Sequence, residues 1–378
     1  MSFATWAALL NNFVIEKGKF AGIEIGWLHS VREVPGLLAV GVIAILMVIR
    51  EQVLAVVMLA LLGVATALTA HFPSFSGILV LTMLSSIAFH FFETVNQSLQ
   101  LQWIDKARAP KILGYLSAVG SGAALVAYGL IMLTWDRLKL SYEIVYGISG
   151  GLTILIALYC AFVFSQFESS NRQNRSLVLR KRYWLYYLLQ FFSGAKRQIF
   201  FVFAAFMMVE RFGFSVQEVT ALFLINYVAN IALAPFMGQF IARFGERIAL
   251  ITEYAGLSMV FLAYGGLFWF GWGVFVAGTL YVVDHMFFGF SFALNTYFQK
   301  IADPADIAPS AAVAFSINHI SAVLLPAALG YLWVLRPDAV FIAAAVLALT
   351  SLLLVLLIPR HPSAGHETIL SPPTLSPV

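Results

Sequence analysis

The sequence predicts an all-α integral membrane protein of twelve transmembrane helices, arranged as two pseudo-symmetric six-helix halves. Three observations carry that expectation. Hydrophobic residues make up 61% of the 378 and charged residues 11%, with a mean hydropathy of +0.90; a soluble domain carries roughly 25% charged residues. Twelve apolar runs lie between turn and charge signals, near 1–15, 25–49, 53–71, 75–103, 112–135, 143–165, 183–209, 216–240, 247–270, 274–298, 308–333 and 338–358. The third observation is an internal repeat at an offset of 194: Glu16, Lys17, Phe20 and Glu24 in EKGKFAGIE fall on Glu210, Arg211, Phe214 and Glu218 in ERFGFSVQE. Lys106 and Pro110 fall on Lys300 and Pro304 at the same shift.

The elements follow in order. Residues 1–165 form the first half and 183–360 the second, joined by a polar central loop, 166–182. The first helix is short, because 15 residues rise only about 22 Å against a hydrocarbon core of about 30 Å. The repeat puts its expected start before Met1, so either this helix is truncated or residues precede it. The Pro- and Ser-rich end, 361–378, reads as a disordered cytoplasmic tail. Thirteen Lys and Arg fall on the side of the central loop, six on the other, and three inside spans. The excess places the central loop and the C-terminus in the cytoplasm, as expected of a multi-pass protein of a bacterial inner membrane. The net charge of +4 thus reflects topology and not nucleic-acid binding. Cys160 is the single cysteine, so no disulfide framework is present.

Ionisable groups inside spans are costly and mark function. Arg32 and Glu33 lie in the second span; as sequence neighbours pointing about 100° apart, they could pair with partners on different helices. In the fourth, His90, Glu93, Gln97 and Gln100 recur at spacings of 3, 4 and 3, which puts them on one helical stripe. That stripe is either a cavity face or a packing seam. The seventh holds Lys196 and Arg197 at its middle, too deep to reach either interface. Asn226 of the eighth is the repeat mate of Arg32, and Asp284 of the tenth is the repeat mate of His90, with His285 beside it. Asn318 and His319 form a further polar patch.

Residues 238–247, GQFIARFGER, resemble the loop signature of the major facilitator superfamily: Gly238, Arg243, Gly245 and Arg247 fit, and Ala242 stands where an acid is common. The resemblance implies gating roles for Arg243 and Arg247. It also implies a central cavity lined by helices 1, 4, 7 and 10. On that footing Lys196, Arg197, His90, Gln97, Asn226 and His285 are candidate substrate-binding residues. Glu93 and Asp284 are candidate proton carriers, and Arg32, Glu33, Gly238, Arg243, Gly245 and Arg247 are candidates for gating or ion pairing. Lys196 and Arg197 would be neutralised by an acid of the fourth or tenth helix, or by an anion in transit.

The expected function is secondary active transport of a small anionic or polar solute, coupled to protons, by alternating access between the halves. The alternatives are a drug or metabolite exporter, and a transporter-like membrane protein that binds a ligand or serves assembly without transport. No GxxxxGK[ST] run or HExxH is present, so neither ATP-driven transport nor an enzyme is expected. The reading calls for no cofactor or metal. The partners expected are a small-molecule solute and the lipid bilayer, the chain acting as a monomer.

Overall fold

The computed structural model describes residues 2–38, 42–46, 48–103, 109–164, 179–303 and 306–371. Most of the central loop and the tail from 372 lie outside the described residues, as do the side chains of Gln97 and Gln100. The chain is a succession of helices: α1 (Ser2–Glu16), α2 (Gly22–Leu37), α3 (Glu51–Leu68), α4 (Phe75–Trp103), α5 (Ala109–Thr134) and α6 (Tyr142–Val163). Then follow α7 (Lys181–Glu210), α8 (Val216–Phe244), α9 (Glu246–Trp269), α10 (Val274–Ile301), α11 (Ile307–Leu335) and α12 (Pro337–Val355). Among the described residues, nine helices are long and apolar enough to cross a membrane.

The repeated motif acts locally as a helix start. Glu24 accepts a hydrogen bond from the Ala21 N–H at 3.0 Å, and Glu218 accepts one from the Ser215 N–H at 2.8 Å. In both copies the preceding phenylalanine, Phe20 or Phe214, is buried. A carboxylate three residues into a helix satisfies a donor the helix itself leaves open, so the copies start α2 and α8 at matching positions.

The chain divides into two compact units, one of residues 1–173 with 209–224, the other of 174–208 with 225–378. In the first unit α3 crosses α6 where Gly63 meets Gly150, and a Cβ on Gly63 would lie 2.7 Å from the Gly150 carbonyl. Bare backbones let membrane helices pack this closely. Tyr142 of α6 ties to Glu16 of α1 at 2.9 Å, and Asn12 donates to the Phe214 carbonyl at 2.7 Å. In the second unit Trp333 of α11 packs with Phe203 and Phe206 of α7 and Phe341 of α12, at centroid distances of 5.5, 5.8 and 5.9 Å. A π-helical turn, Ile199–Ala204, interrupts α7 directly after Gln198; such turns recur at functional sites.

The expectation of a disordered tail needs correction over 361–371. Tyr297 donates to the Glu367 carbonyl at 2.7 Å, and the Ile369 N–H donates to the Leu357 carbonyl at 2.9 Å. The Glu367 carboxylate accepts from the Gly365 N–H at 2.9 Å and lies 3.9 Å from Arg182. Arg182 also pairs with Asp303, and Arg180 grips Asp306 through two hydrogen bonds of 2.9 and 3.0 Å. The Arg180 guanidinium holds the Asp306 carboxyl below its usual range. Low apolar content argues for disorder only when no partner supplies contacts, and this segment has them.

Candidate functional site

The cations of α7 point different ways, as neighbours about 100° apart on a helix must. Lys196 has no exposed surface. Its Nζ lies 3.4 Å above the Tyr254 ring of α9 and donates to the Ser351 Oγ of α12 at 3.2 Å. The counter-charge is Glu253, fully buried on α9 and within electrostatic range of Lys196. No described residue donates a hydrogen bond to either Glu253 oxygen, and Lys196 is the cation within electrostatic range of it. The acid within electrostatic range of Lys196 sits on the ninth helix, where one on the fourth or tenth, or an anion in transit, was expected. Arg197 turns to α11, donating to Asn318 Oδ1 at 2.9 Å, while the same amide donates to the Gln190 carbonyl at 3.1 Å. Gly194 makes room for this contact, since a Cβ there would lie 2.5 Å from the Asn318 carbonyl.

Asp284, midway along α10, is fully buried, and neither of its oxygens has a hydrogen-bond partner among the described residues. Tyr264 of α9 lies within electrostatic range, its buried hydroxyl also without a partner there. His285 is half-buried, 6.0 Å ring to ring from Phe200 of α7. Asn226 is buried with Oδ1 unpartnered among the described residues. Among the described residues the second unit therefore fully buries two carboxyl groups, Glu253 and Asp284, and one cation, Lys196.

In the first unit Arg32 and Glu33 pair with each other, Nε to Oε1 at 3.0 Å. The Arg32 guanidinium stands 5.6 Å over the Trp6 ring. His90 and Glu93 are half-buried on one face of α4, beside Phe89.

The GQFIARFGER stretch forms the turn from α8 to α9. Gly245 sits at φ +83°, a left-handed conformation open to glycine, and its carbonyl opens α9. Gly238 and Arg243 are exposed, Arg243 lying 5.3 Å over the Phe244 ring, and Arg247 is half-buried. Glu246 beside them accepts an ion pair from Lys300 of α10 at 2.7 Å, a link that sequence reasoning missed. It missed Glu253 too, although the same rule that singled out Lys196 applies to an acid inside ITEYAGLSMVF. Among the described residues no group of His, Cys, Asp and Glu could hold a metal ion.

A sequence profile of the Major Facilitator Superfamily matches residues 1–326. No curated protein matches the chain in sequence. Solved structures do match in fold. The nucleoside transporter NupG superposes with a TM-score of 0.74 at 14% identity, covering 94% of this chain and 95% of its own, and a mutant form of it gives 0.76. A bacterial homolog of the human lysosomal transporter Spinster, in an inward-facing and occupied conformation, gives 0.69 at 12% identity over 94% of this chain and 92% of its own.

Proposed function

Because the chain belongs to the major facilitator superfamily, and so is a multi-pass membrane transporter and not an enzyme, we propose that it moves a small polar solute of no net charge in exchange for proton movement. One observation carries the coupling: Asp284, fully buried in α10 without a described hydrogen-bond partner. An isolated charge in apolar surroundings is far costlier than a neutral group, so such a carboxyl holds a proton while its surroundings stay dry. Opening the site to water lets the proton leave. A carboxyl that switches in this way couples proton movement to the alternating access of the two six-helix halves.

The same packing bears on solute charge. Arg32 pairs with Glu33, Lys196 has Glu253 within electrostatic range and Arg197 donates to Asn318, so each cation inside a span has a partner within the protein. That favours a neutral polar solute over an anionic one. Glu93 is the second candidate proton carrier, Gln97, Asn226 and His285 remain candidate solute contacts, and Arg243 and Arg247 the candidate gating charges. We place the protein in a bacterial inner membrane, the central loop and tail cytoplasmic, working as a monomer.

Export of apolar compounds is a second reading, favoured by a cavity of about 300 Å³ between α8 and α10. Phe236, Met237, Phe240, Met286, Phe287 and Phe290 line it, and methionines adapt to varied apolar shapes. Proteoliposomes separate the two. With an imposed pH gradient, uptake of a tritiated neutral solute, beginning with nucleosides because NupG shares the fold, should rise above its external concentration and collapse with a protonophore. If only hydrophobic dyes move, the exporter reading replaces this one.

A further inference from the structure

Where α1, α2 and α4 of the first unit meet, a row of rings stands outside every role given so far. Phe3 stacks on Trp6 with centroids 6.1 Å apart and on Phe89 at 5.2 Å, the planes tilted by 25° and 19°. Trp6 is buried, braced by the Arg32 guanidinium and, edge-on at 6.2 Å, by His29 of α2. Glu33 fixes Arg32 in turn, and Ser86 of α4 donates to the Arg32 carbonyl. The row is thus anchored from three helices, yet Phe3 keeps 47% of its surface exposed.

The chemistry around Phe3 tells lipid from solute. His90 lies 5.4 Å from Phe89, and Glu93 continues the same stripe one turn on, both half-buried. A carboxyl facing hydrocarbon is costly, so this stripe of α4 faces water or a polar ligand. An exposed phenyl ring beside it gains by being covered, since apolar surface removed from water is favourable. A flat apolar face answers Phe3, and hydrogen-bonding groups at a ring edge answer His90 and Glu93. An anion finds no unpaired cation here, since Arg32 is held by Glu33.

We propose that this row is the recognition site for a planar, uncharged heteroaromatic ring, which stacks on Phe3 and turns its hydrogen-bonding edge to His90 and Glu93. The proposal rests on the transport reading and names the solute class for it. The repeat supplies a counterpart: Trp6 falls on Phe200 of α7, whose ring lies 4.7 Å from Tyr281 and 6.0 Å from His285.

Equilibrium binding to the full chain in lipid nanodiscs tests it, with nicotinamide, hypoxanthine and benzimidazole set against ring-free glucose, glutamine and glycerol. At least one ring compound should bind saturably and the ring-free solutes should not. Phe3→Leu should weaken that binding about tenfold, and Phe3→Tyr, which keeps the ring, should stay within about twofold of the parent. Both variants should melt where the parent does, because Phe3 is half exposed. Ring binding that Phe3→Leu leaves unchanged, a ring-free solute that binds as tightly, or no ring binding by a natively melting protein would each overturn the site. Binding needs no pH gradient, so the two readings fail separately: a ring-free solute accumulated uphill would sink this site and leave the coupling intact.

Discussion

Asp284→Asn should abolish uphill accumulation in proteoliposomes while solute exchange down its own gradient continues. Asparagine keeps the shape of the protonated carboxyl and its place against Tyr264, so packing in the core of the second unit is preserved. What it removes is the titratable proton. A coupled carrier must bind and release a proton once per cycle; with a permanently neutral side chain the cycle still turns, but the pH gradient no longer drives it. Asp284→Glu should recover part of the uphill flux, since the acid is restored with one methylene too many for a close-packed site. Accumulation by Asp284→Asn at the parent's level would remove Asp284 from the coupling. Equal loss of exchange and accumulation would make Asp284 structural.

Glu253→Gln carries the second large effect, and it falls on stability. The substitution leaves Lys196 buried beside Ser351 and the Tyr254 ring. Breaking one side of a buried pair costs about 3–5 kcal/mol, because the surviving charge stays desolvated. Lys196→Met should do comparable damage by stranding Glu253. The double variant Lys196→Met with Glu253→Leu replaces the pair by apolar groups of similar size and should melt close to the parent or above it. Thermal unfolding of the parent, Lys196→Met, Glu253→Leu and the double variant in one detergent forms a double-mutant cycle. Losses that simply add in the double variant would show that Lys196 and Glu253 do not neutralise each other.

The helices and their pairing into halves were legible because both are written locally. The copies of the Glu-containing motif set the starts of α2 and α8 through contacts spanning three residues. Deep charges were legible as well, since a lysine amid apolar residues needs no partner to be conspicuous. What stayed hidden was which groups meet. Glu253 comes from a helix far along the chain from Lys196, and only the packing of α7, α9 and α12 joins them. Arg32 and Glu33 left their pairing open in the sequence: adjacency allowed separate partners, and the two long flexible side chains curl back to one another. The ring row was invisible for a different reason. Phe3, Trp6 and Phe89 look like any aromatic residues of a membrane helix until stacking singles them out. The tail misled through composition, which carries no record of Tyr297 waiting for the Glu367 carbonyl.

Infrared difference spectroscopy of the purified protein in lipid at neutral pH tests the central claim without any solute. Among its described residues the second unit fully buries two carboxyl groups and one cation, so one carboxyl should carry its proton, and a protonated carboxyl has a carbonyl stretch clear of the amide bands. The account predicts a component of that stretch that disappears in Asp284→Asn and persists in Glu253→Gln. A spectrum that Asp284→Asn leaves unchanged would mean that Asp284 holds no proton, and the coupling proposed for it would have no carrier.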